Sequence, residues 1–264
     1  MIADATTIDR GAFEQSFDVC VIGSGPAGIT LARTLAAAGA RVALMEAGGI
    51  EITEESQDVY RGGASLGMEY FDLDICRLRY FGGTSNHWGG WTRALDPVDF
   101  VPKPHIPLSG WPIPQIALDA YRAEADSILD VPSASEAPDL PMRQSGYDFR
   151  RFQFRFSPPT RFAEKYLAEI EASPGITLVL NANLVDLRLD AALSTVTGAV
   201  FKSYDPADPG FTVKARFYAL CAGGIENPRL LLNFNSQEPK GVGNRNDLVG
   251  RFFCEHPHFV LGDL

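Results

Sequence analysis

The feature that most constrains the fold is the glycine pattern Gly23-Ser24-Gly25-Pro26-Ala27-Gly28, which lies between an apolar run and a helix-like segment. Residues 17–22 are almost continuously apolar, as expected of a strand buried on both faces. Residues 26–38 predict a helix with proline in its first turn and glycine after its end. A second apolar run at 41–45 completes a strand–helix–strand unit, which predicts a parallel sheet.

Each glycine in a pattern of this kind has a physical task. The first makes a tight turn, the second lets the backbone approach a pyrophosphate, and the third lets the helix pack closely on the strand. The helix N-terminus then attracts the phosphates. Glu46 ends the second strand, where a carboxylate is expected to accept hydrogen bonds from a ribose diol. The pattern therefore predicts a dinucleotide site, with NAD and FAD both compatible at this point.

A second stretch of small residues, Ala222-Gly223-Gly224, lies between an apolar run and a predicted helix at 226–234. A late strand that ends in small residues can return to the same sheet and pass under a dinucleotide, where larger side chains would block the cofactor. A tight strand–helix turn explains the same residues without any cofactor. Such a strand is typical of flavoproteins whose FAD domain is split by an insertion.

The rest of the chain predicts two amphipathic helices and a strand-rich region. The helices are expected at 116–129 and 160–172. Strands are expected at 176–180, 184–189, 196–204 and 211–220. Turn residues between the last two strands predict a β-hairpin. Residues 80–91 predict a glycine-rich loop, and 101–114 carry five prolines and cannot be regular structure.

Charge and composition exclude several classes of partner. The net charge of −10 argues against nucleic acid and against an anionic membrane surface. The N-terminus lacks the features of a secretory signal, and no apolar run approaches the roughly 20 residues of a membrane span. None of the four cysteines forms a CxxC pair, so no metal site is predicted. We therefore expect a cytoplasmic protein.

The glycine-rich loop Phe81-Gly82-Gly83-Thr84-Ser85-Asn86-His87-Trp88-Gly89-Gly90-Trp91 resembles a loop of the glucose–methanol–choline (GMC) oxidoreductase family. In that family the loop runs under the isoalloxazine ring, and in two members a loop histidine is bonded to the flavin 8α-methyl group. His87 matches that histidine, and the His-Trp pair is nearest to the pyranose 2-oxidase-like bacterial branch. Three roles stay open for His87, namely a covalent bond to the flavin, a contact beside the ring without a bond, or no flavin contact.

Three further segments resemble the same family, so the likeness covers roughly residues 17 to 260. They are SGWPI at 109–113, AGGIENPRLLL at 222–232 and NDLVGRFFCEHP at 246–257. The resemblance implies FAD as the cofactor. The implied cofactor-binding residues are Gly23, Gly25, Pro26, Ala27, Gly28, Glu46, Arg79, Gly83, Thr84, Asn86, His87, Val185, Ala222 and Gly223.

The resemblance also implies a fold and an activity. The expected fold is α/β, a Rossmann-like FAD-binding domain with a parallel sheet and an antiparallel β-hairpin, together with part of an α+β substrate domain. The expected segments are 1–100 and 173–245 for the FAD-binding domain, with 101–172 and 246–264 for the substrate domain. The expected reaction oxidises a CH–OH group of an alcohol or sugar, with hydride transfer to flavin N5.

The catalytic residues of the family have no match in this sequence. The family's His/Asn pair lies downstream of the segment that contains His256 and His258, and these two histidines match a structural part of that segment. The chain therefore resembles the N-terminal FAD-binding half of a longer enzyme, and a partner chain could supply the other half. Two alternatives remain, a non-catalytic flavin-binding subunit or fragment and an NAD(P)-dependent Rossmann dehydrogenase. The second does not explain the loop at 81–91.

Overall fold

The computed structural model describes residues 1–13, 16–62, 70–132, 141–144, 147–150 and 154–254. The chain divides into two compact units, Met1–Thr84 with Phe162–Leu264, and Ser85–Arg161. The strands are β1 (Ile2–Asp4), β2 (Phe17–Ile22), β3 (Val42–Met45), β4 (Trp91–Thr92), β5 (Pro141–Gln144), β6 (Tyr147–Arg150), β7 (Arg155–Phe156), β8 (Ile176–Leu180), β9 (Asn183–Leu189), β10 (Val196–Lys202), β11 (Phe211–Val213) and β12 (Ala215–Leu220). The helices are α1 (Pro26–Ala37), α2 (Glu54–Asp58), α3 (Leu73–Cys76), α4 (Ile116–Asp119), α5 (Arg122–Ile128), α6 (Phe162–Ala172) and α7 (Glu226–Asn233).

The first unit is built on a five-stranded parallel sheet in the order β1-β8-β3-β2-β12. Val42, Ala43 and Leu44 of β3 are fully buried, which explains why this strand carries no polar residue. Helix α1 connects β2 to β3 and packs on both strands. The predicted parallel sheet and its strand–helix–strand unit are therefore confirmed.

Both faces of this sheet are covered. Helices α1 and α6 pack on β3 and β8, and an ion pair of 2.8 Å joins Arg33 of α1 to Glu169 of α6. On the other side, a three-stranded antiparallel sheet in the order β11-β10-β9 shares a hydrophobic core with the parallel sheet and with α7. Phe201 and Phe211 stack within that core, with ring centroids 5.8 Å apart.

The predicted strand at 211–220 is two strands that belong to different sheets. β11 pairs antiparallel with β10, so the predicted hairpin is confirmed, while β12 pairs parallel with β2. The chain changes sheets at Lys214, between the two strands. Apolar residues alternate from 211 to 217 without interruption, so the pattern does not reveal that the two halves join different sheets.

The predicted helix at 116–129 is also wrong in detail, because it consists of the two short helices α4 and α5. Its apolar residues Ile116 and Tyr121 are 73% and 63% exposed. The predicted helix at 160–172 begins at Phe162. The strand β1 carries no sequence signal in its three residues, and it is added to the edge of the sheet by backbone pairing with β8.

Helix lengths bear on membrane insertion. The longest described helix, α1, has 12 residues, and none of the described helices combines the length and the apolar character that a membrane span needs. The predicted domain boundaries at residues 100, 172 and 245 stay a prediction.

Candidate functional site

A cavity of about 1090 Å³ opens in the first unit, at the carboxyl ends of three parallel strands. Ile22, Met45 and Leu220, the last residues of β2, β3 and β12, all line it. Ligands of open α/β sheets bind at this edge, and the volume lies just above the ~300–1,000 Å³ typical of small-molecule and cofactor sites. The cavity is therefore the candidate functional site.

Most of the residues predicted to bind the cofactor meet at this cavity. Those that line it are Gly23, Gly25, Pro26, Ala27, Glu46, Arg79, Gly83, Thr84, Ala222 and Gly223. Val185 in β9 is exposed, while its neighbour Leu184 lines the cavity. Asn86 and His87 belong to the second unit, and His256 and His258 lie outside the described residues.

At two positions of the loop after β2, neighbouring backbone atoms leave no room for any residue larger than glycine. A Cβ atom at Gly28 would lie 1.8 Å from the carbonyl oxygen of Gly23. Gly23 has a φ of +102°, and its Cβ would lie 2.7 Å from the carbonyl oxygen of Cys221. Side chains at these positions would push the loop away from α1 and from β12.

Gly25 is different, because neither its backbone nor its protein neighbours require glycine. Its φ of −71° and ψ of −175° are open to any residue. A Cβ there would meet no atom within 4 Å among the described residues. Gly25 caps the N-terminus of α1, where backbone N–H groups favour an anion. A group bound in the cavity explains this glycine, since a side chain would take that group's space.

Glu46 fastens the end of β3 to the loop after β2. Its carboxylate is 5% exposed and accepts hydrogen bonds from the N–H and the hydroxyl of Ser24, at 3.0 and 2.5 Å, and from the N–H of Gly48, at 2.8 Å. A carboxylate has about four acceptor positions, so one is left for a ligand hydroxyl. Binding to a ribose diol stays a prediction.

Arg79 is a buried cation with neutral partners. Its side chain donates to the amide oxygen of Asn183 at 2.7 Å and to the hydroxyl of Tyr204, which in turn donates to the carbonyl of Ala47 at 2.7 Å. Arg79 is 8% exposed, and no carboxylate of the described residues forms an ion pair with it. A buried charge without a counter-charge is costly, so this position favours an anionic ligand.

The loop Gly82–Gly83 packs directly on the loop after β2. The N–H of Gly82 donates to the carbonyl of Ser24 at 3.1 Å. Gly83 has a φ of +57°, and a Cβ there would lie 3.2 Å from the Cα of Gly25. Thr84 accepts a hydrogen bond from the N–H of Leu78 at 3.2 Å. Gly83 and Thr84 thus continue the cavity wall that the loop after β2 begins.

Sequence reasoning missed a cluster of ionisable side chains that also lines the cavity. The guanidinium of Arg77 lies 3.9 Å from the ring centroid of Tyr60, and its Nη1 lies 3.7 Å from a carboxylate oxygen of Glu226. Burial, with the nearby charge of Glu226, raises the pKa of Tyr60 to about 12. In the sequence, Glu226 is a departure from the GMC pattern within the segment at 222–232, and Arg77 belongs to no motif.

In the second unit, the loop that carries His87 is held by the segment that precedes α6. The indole of Trp88 donates to the carbonyl of Thr160 at 2.9 Å, and Arg161 donates to the carbonyl of Ser85 at 3.0 Å. Gly90 has a φ of +77°, and its Cβ would lie 2.4 Å from a carbonyl oxygen of Ser157. His87 itself is exposed. Across the described ranges, no group of three His, Cys, Asp or Glu side chains could hold a metal ion.

A family model and several known proteins match this chain. The family described as FAD dependent oxidoreductase (DAO) matches residues 18–240. The fructose dehydrogenase large subunit of Gluconobacter japonicus is 37% identical over 84 residues, which are 31% of this chain and 15% of that protein. The 2-methyl-1,2-propanediol dehydrogenase of Mycolicibacterium austroafricanum and the 6'''-hydroxyparomomycin C oxidase of Streptomyces lividus are 26% and 25% identical, each over 94% of this chain and 56% of the relative. The chain thus spans little more than half the length of these two relatives.

A solved structure shares the fold. Pyridoxine 4-oxidase from Mesorbium loti superposes with a TM-score of 0.51 at 18% identity, over 82% of this chain and 51% of that one. At this identity the likeness concerns the fold alone.

Proposed function

The chain belongs to the FAD-dependent oxidoreductase family, and from this premise we propose that its first unit binds FAD in the cavity at the carboxyl ends of β2, β3 and β12. The observation that carries this proposal is Gly25, a glycine that faces open cavity at a helix N-terminus and that the described protein atoms do not require. A pyrophosphate fits this position, because it is an anion that needs close approach to backbone N–H groups.

The residues on the cavity wall suit the other parts of a dinucleotide. Under this proposal Glu46 would accept a hydrogen bond from a ribose hydroxyl, and the buried positive charge of Arg79 would offset the phosphates. A Cβ added at Gly224 would meet no described protein atom within 4 Å, so this glycine leaves room at the end of β12. When bound, FAD would supply a two-electron acceptor for substrate oxidation.

The finer proposal is a GMC-type enzyme that oxidises a CH–OH group of an alcohol or sugar by hydride transfer to flavin N5. The names of two relatives support it, since one is a dehydrogenase of a diol and the other a dehydrogenase of fructose. The glycine-rich loop and the other family-like segments also support it. The proposal assigns no catalytic base to this chain, and the contribution of its own residues is to bind and orient the cofactor.

The test of FAD binding is a titration of the purified chain with FAD and with NAD⁺, read by flavin fluorescence and absorbance. We expect FAD to bind and excess NAD⁺ to leave it in place. Displacement of FAD by NAD⁺ would favour the dinucleotide-dehydrogenase alternative. Because no residue of this chain matches the family's catalytic pair, the finer proposal expects that no alcohol or sugar bleaches the flavin bound to the purified chain alone, and bleaching by that chain would contradict this expectation. Anaerobic bleaching that appears only when a partner chain is added would support the finer proposal and argue against a non-catalytic subunit.

A covalent bond between His87 and the flavin stays a separate prediction. Acid precipitation of flavin-loaded protein should then leave the yellow colour in the pellet, and mass spectrometry should place the adduct on the peptide that contains His87. The variant His87→Ala should release all flavin to the supernatant under the same conditions. Flavin in the supernatant of the unchanged protein leaves His87 at most a non-covalent contact.

A further inference from the structure

One wall of the cavity is formed by side chains to which neither the sequence motifs nor the family resemblance assigns a role. Tyr60 follows α2, Arg77 follows α3, and Glu226 opens α7. The guanidinium of Arg77 stacks on the ring of Tyr60 at 3.9 Å, and its Nε donates to the carbonyl of Leu73 at 3.3 Å. These contacts hold the plane of the guanidinium in place at the cavity.

Two polar atoms of this wall lack a protein partner. Nη1 of Arg77 is buried, and within the described part of the chain no acceptor forms a hydrogen bond with it. The nearest carboxylate oxygen, on Glu226, is 3.7 Å away, beyond hydrogen-bond distance. The hydroxyl of Tyr60 likewise has no hydrogen bond to any described residue. A buried donor is normally satisfied, so Nη1 of Arg77 calls for an acceptor, and the half-buried Tyr60 lies beside it.

The charge of Glu226 is already committed to another arginine. Arg229 donates to both of its carboxylate oxygens, with Nε at 2.8 Å from one of them. Arg229 does not line the cavity, and its side chain is 43% exposed. Because one carboxylate stands between two guanidinium groups, the cluster carries one net positive charge, and Arg77 presents it to the cavity.

We propose that Arg77 and Tyr60 form an anion subsite that takes a phosphate of the bound dinucleotide, and that Glu226 weakens this subsite by its negative charge. The inference rests on the proposed binding of FAD in the same cavity. A guanidinium with an unused donor matches a phosphate oxygen, and the tyrosine hydroxyl supplies a second donor beside it. Glu226 then sets how tightly the anion is held, since it is the carboxylate closest to Arg77.

The experiment measures the dissociation constant of FAD for the full chain at several salt concentrations. Arg77→Gln should weaken binding roughly 10- to 100-fold, the range of a charge-assisted hydrogen bond, and should flatten the salt dependence. Arg77→Lys keeps the charge without the planar fork and should fall between Arg77→Gln and the unchanged protein. Tyr60→Phe should weaken binding by a smaller factor. Arg41→Gln is the matched control, because Arg41 does not line the cavity and its side chain is 61% exposed.

The decisive result is the direction in which Glu226→Gln changes the affinity for FAD. Glu226→Gln should tighten FAD binding, because it removes a negative charge beside the phosphate, whereas a purely structural role for the cluster would make every variant weaker. Folding of each variant is checked by circular dichroism, and if Arg77→Gln does not fold, Arg77→Lys is compared with Arg41→Lys. Equal effects of the Arg77 variants and their Arg41 controls, an unchanged salt dependence in the Arg77 variant, or weaker binding by folded Glu226→Gln would each overturn the proposal. Absence of FAD binding by the unchanged protein would instead defeat the proposed function.

Discussion

The two glycine-rich loops of the first half of the chain look alike in sequence and differ in what requires their glycines. In the loop at 82–90, Gly82, Gly83 and Gly90 all have positive φ angles, between +57° and +89°. The fold therefore accounts for these glycines by itself. In the loop at 23–28, Gly23 and Gly28 are likewise required by protein atoms, but Gly25 has an ordinary extended backbone and faces the cavity.

This difference teaches how a glycine pattern should be interpreted. A glycine that is needed for a turn or for close packing says nothing about a ligand, however well it fits a motif. A glycine that could carry a side chain without strain, and whose Cβ would enter a cavity, is evidence of an occupant. By this criterion Gly25 in the loop at 23–28 is direct evidence of a bound group. The loop at 82–90 supports a bound group only through its resemblance to the GMC loop and through the contact of Gly83 with Gly25.

The largest expected effect is that of Gly28→Ala. The new Cβ would lie 1.8 Å from the Gly23 carbonyl oxygen, a backbone atom that cannot move without displacing α1 or β2. We expect a loss of more than ~4 kcal/mol in the free energy of unfolding, measured by urea titration, or failure to fold. Gly25→Ala in the same loop is the control and should change stability by less than ~1 kcal/mol. Equal stability of both variants would remove the distinction between the two kinds of glycine.

Gly90→Ala tests the same idea in the other loop. An alanine would have to adopt a φ of +77° and would place its Cβ 2.4 Å from the carbonyl oxygen of Ser157. The strained backbone and the clash together should cost about 3 kcal/mol in stability. Gly89→Ala is the matched control, because its Cβ would make only ordinary contacts, the nearest at 3.4 Å to the ring of Trp91. Similar melting temperatures for the two variants would contradict the assignment of Gly90 to the fold.

Gly25→Val should lower the affinity for FAD without lowering the stability of the protein. The side chain would enter the space assigned to the pyrophosphate, so we expect FAD affinity to fall by at least ~100-fold, or about 2.7 kcal/mol. The urea midpoint should stay close to that of the unchanged protein, since no described protein atom lies within 4 Å of the new Cβ. Full flavin occupancy in the purified variant would show that the loop at 23–28 does not face the cofactor.

The parts of the fold that the sequence predicted are those set by local patterns. Apolar runs and the glycine pattern identified β2, α1 and β3, and the small residues at 222–224 indicated a late strand that returns to the same sheet, which is β12 beside β2. The edge strand β1 and the break at Lys214 were not predictable. Each depends on which strand, separated from it in the sequence, lies next to it in the fold. The wall formed by Tyr60 and Arg77 escaped notice for the same reason, since it is assembled from separate segments.

The smallest expected effect is that of Gly224→Ala, which tests whether the criterion extends to the end of β12. Gly224 lies in the cavity wall, its φ is outside the positive region, and an added Cβ would meet no described atom within 4 Å. Stability should therefore change by less than ~0.5 kcal/mol, while FAD affinity should fall by roughly 10-fold, because a methyl group is smaller than the side chain introduced by Gly25→Val. Gly223→Ala is the informative comparison. Its φ of +92° makes alanine strained there, so it should lose stability as well as affinity. If Gly224→Ala binds FAD as tightly as the unchanged protein, the cofactor does not pass close to this strand end, and the steric criterion holds for Gly25 alone.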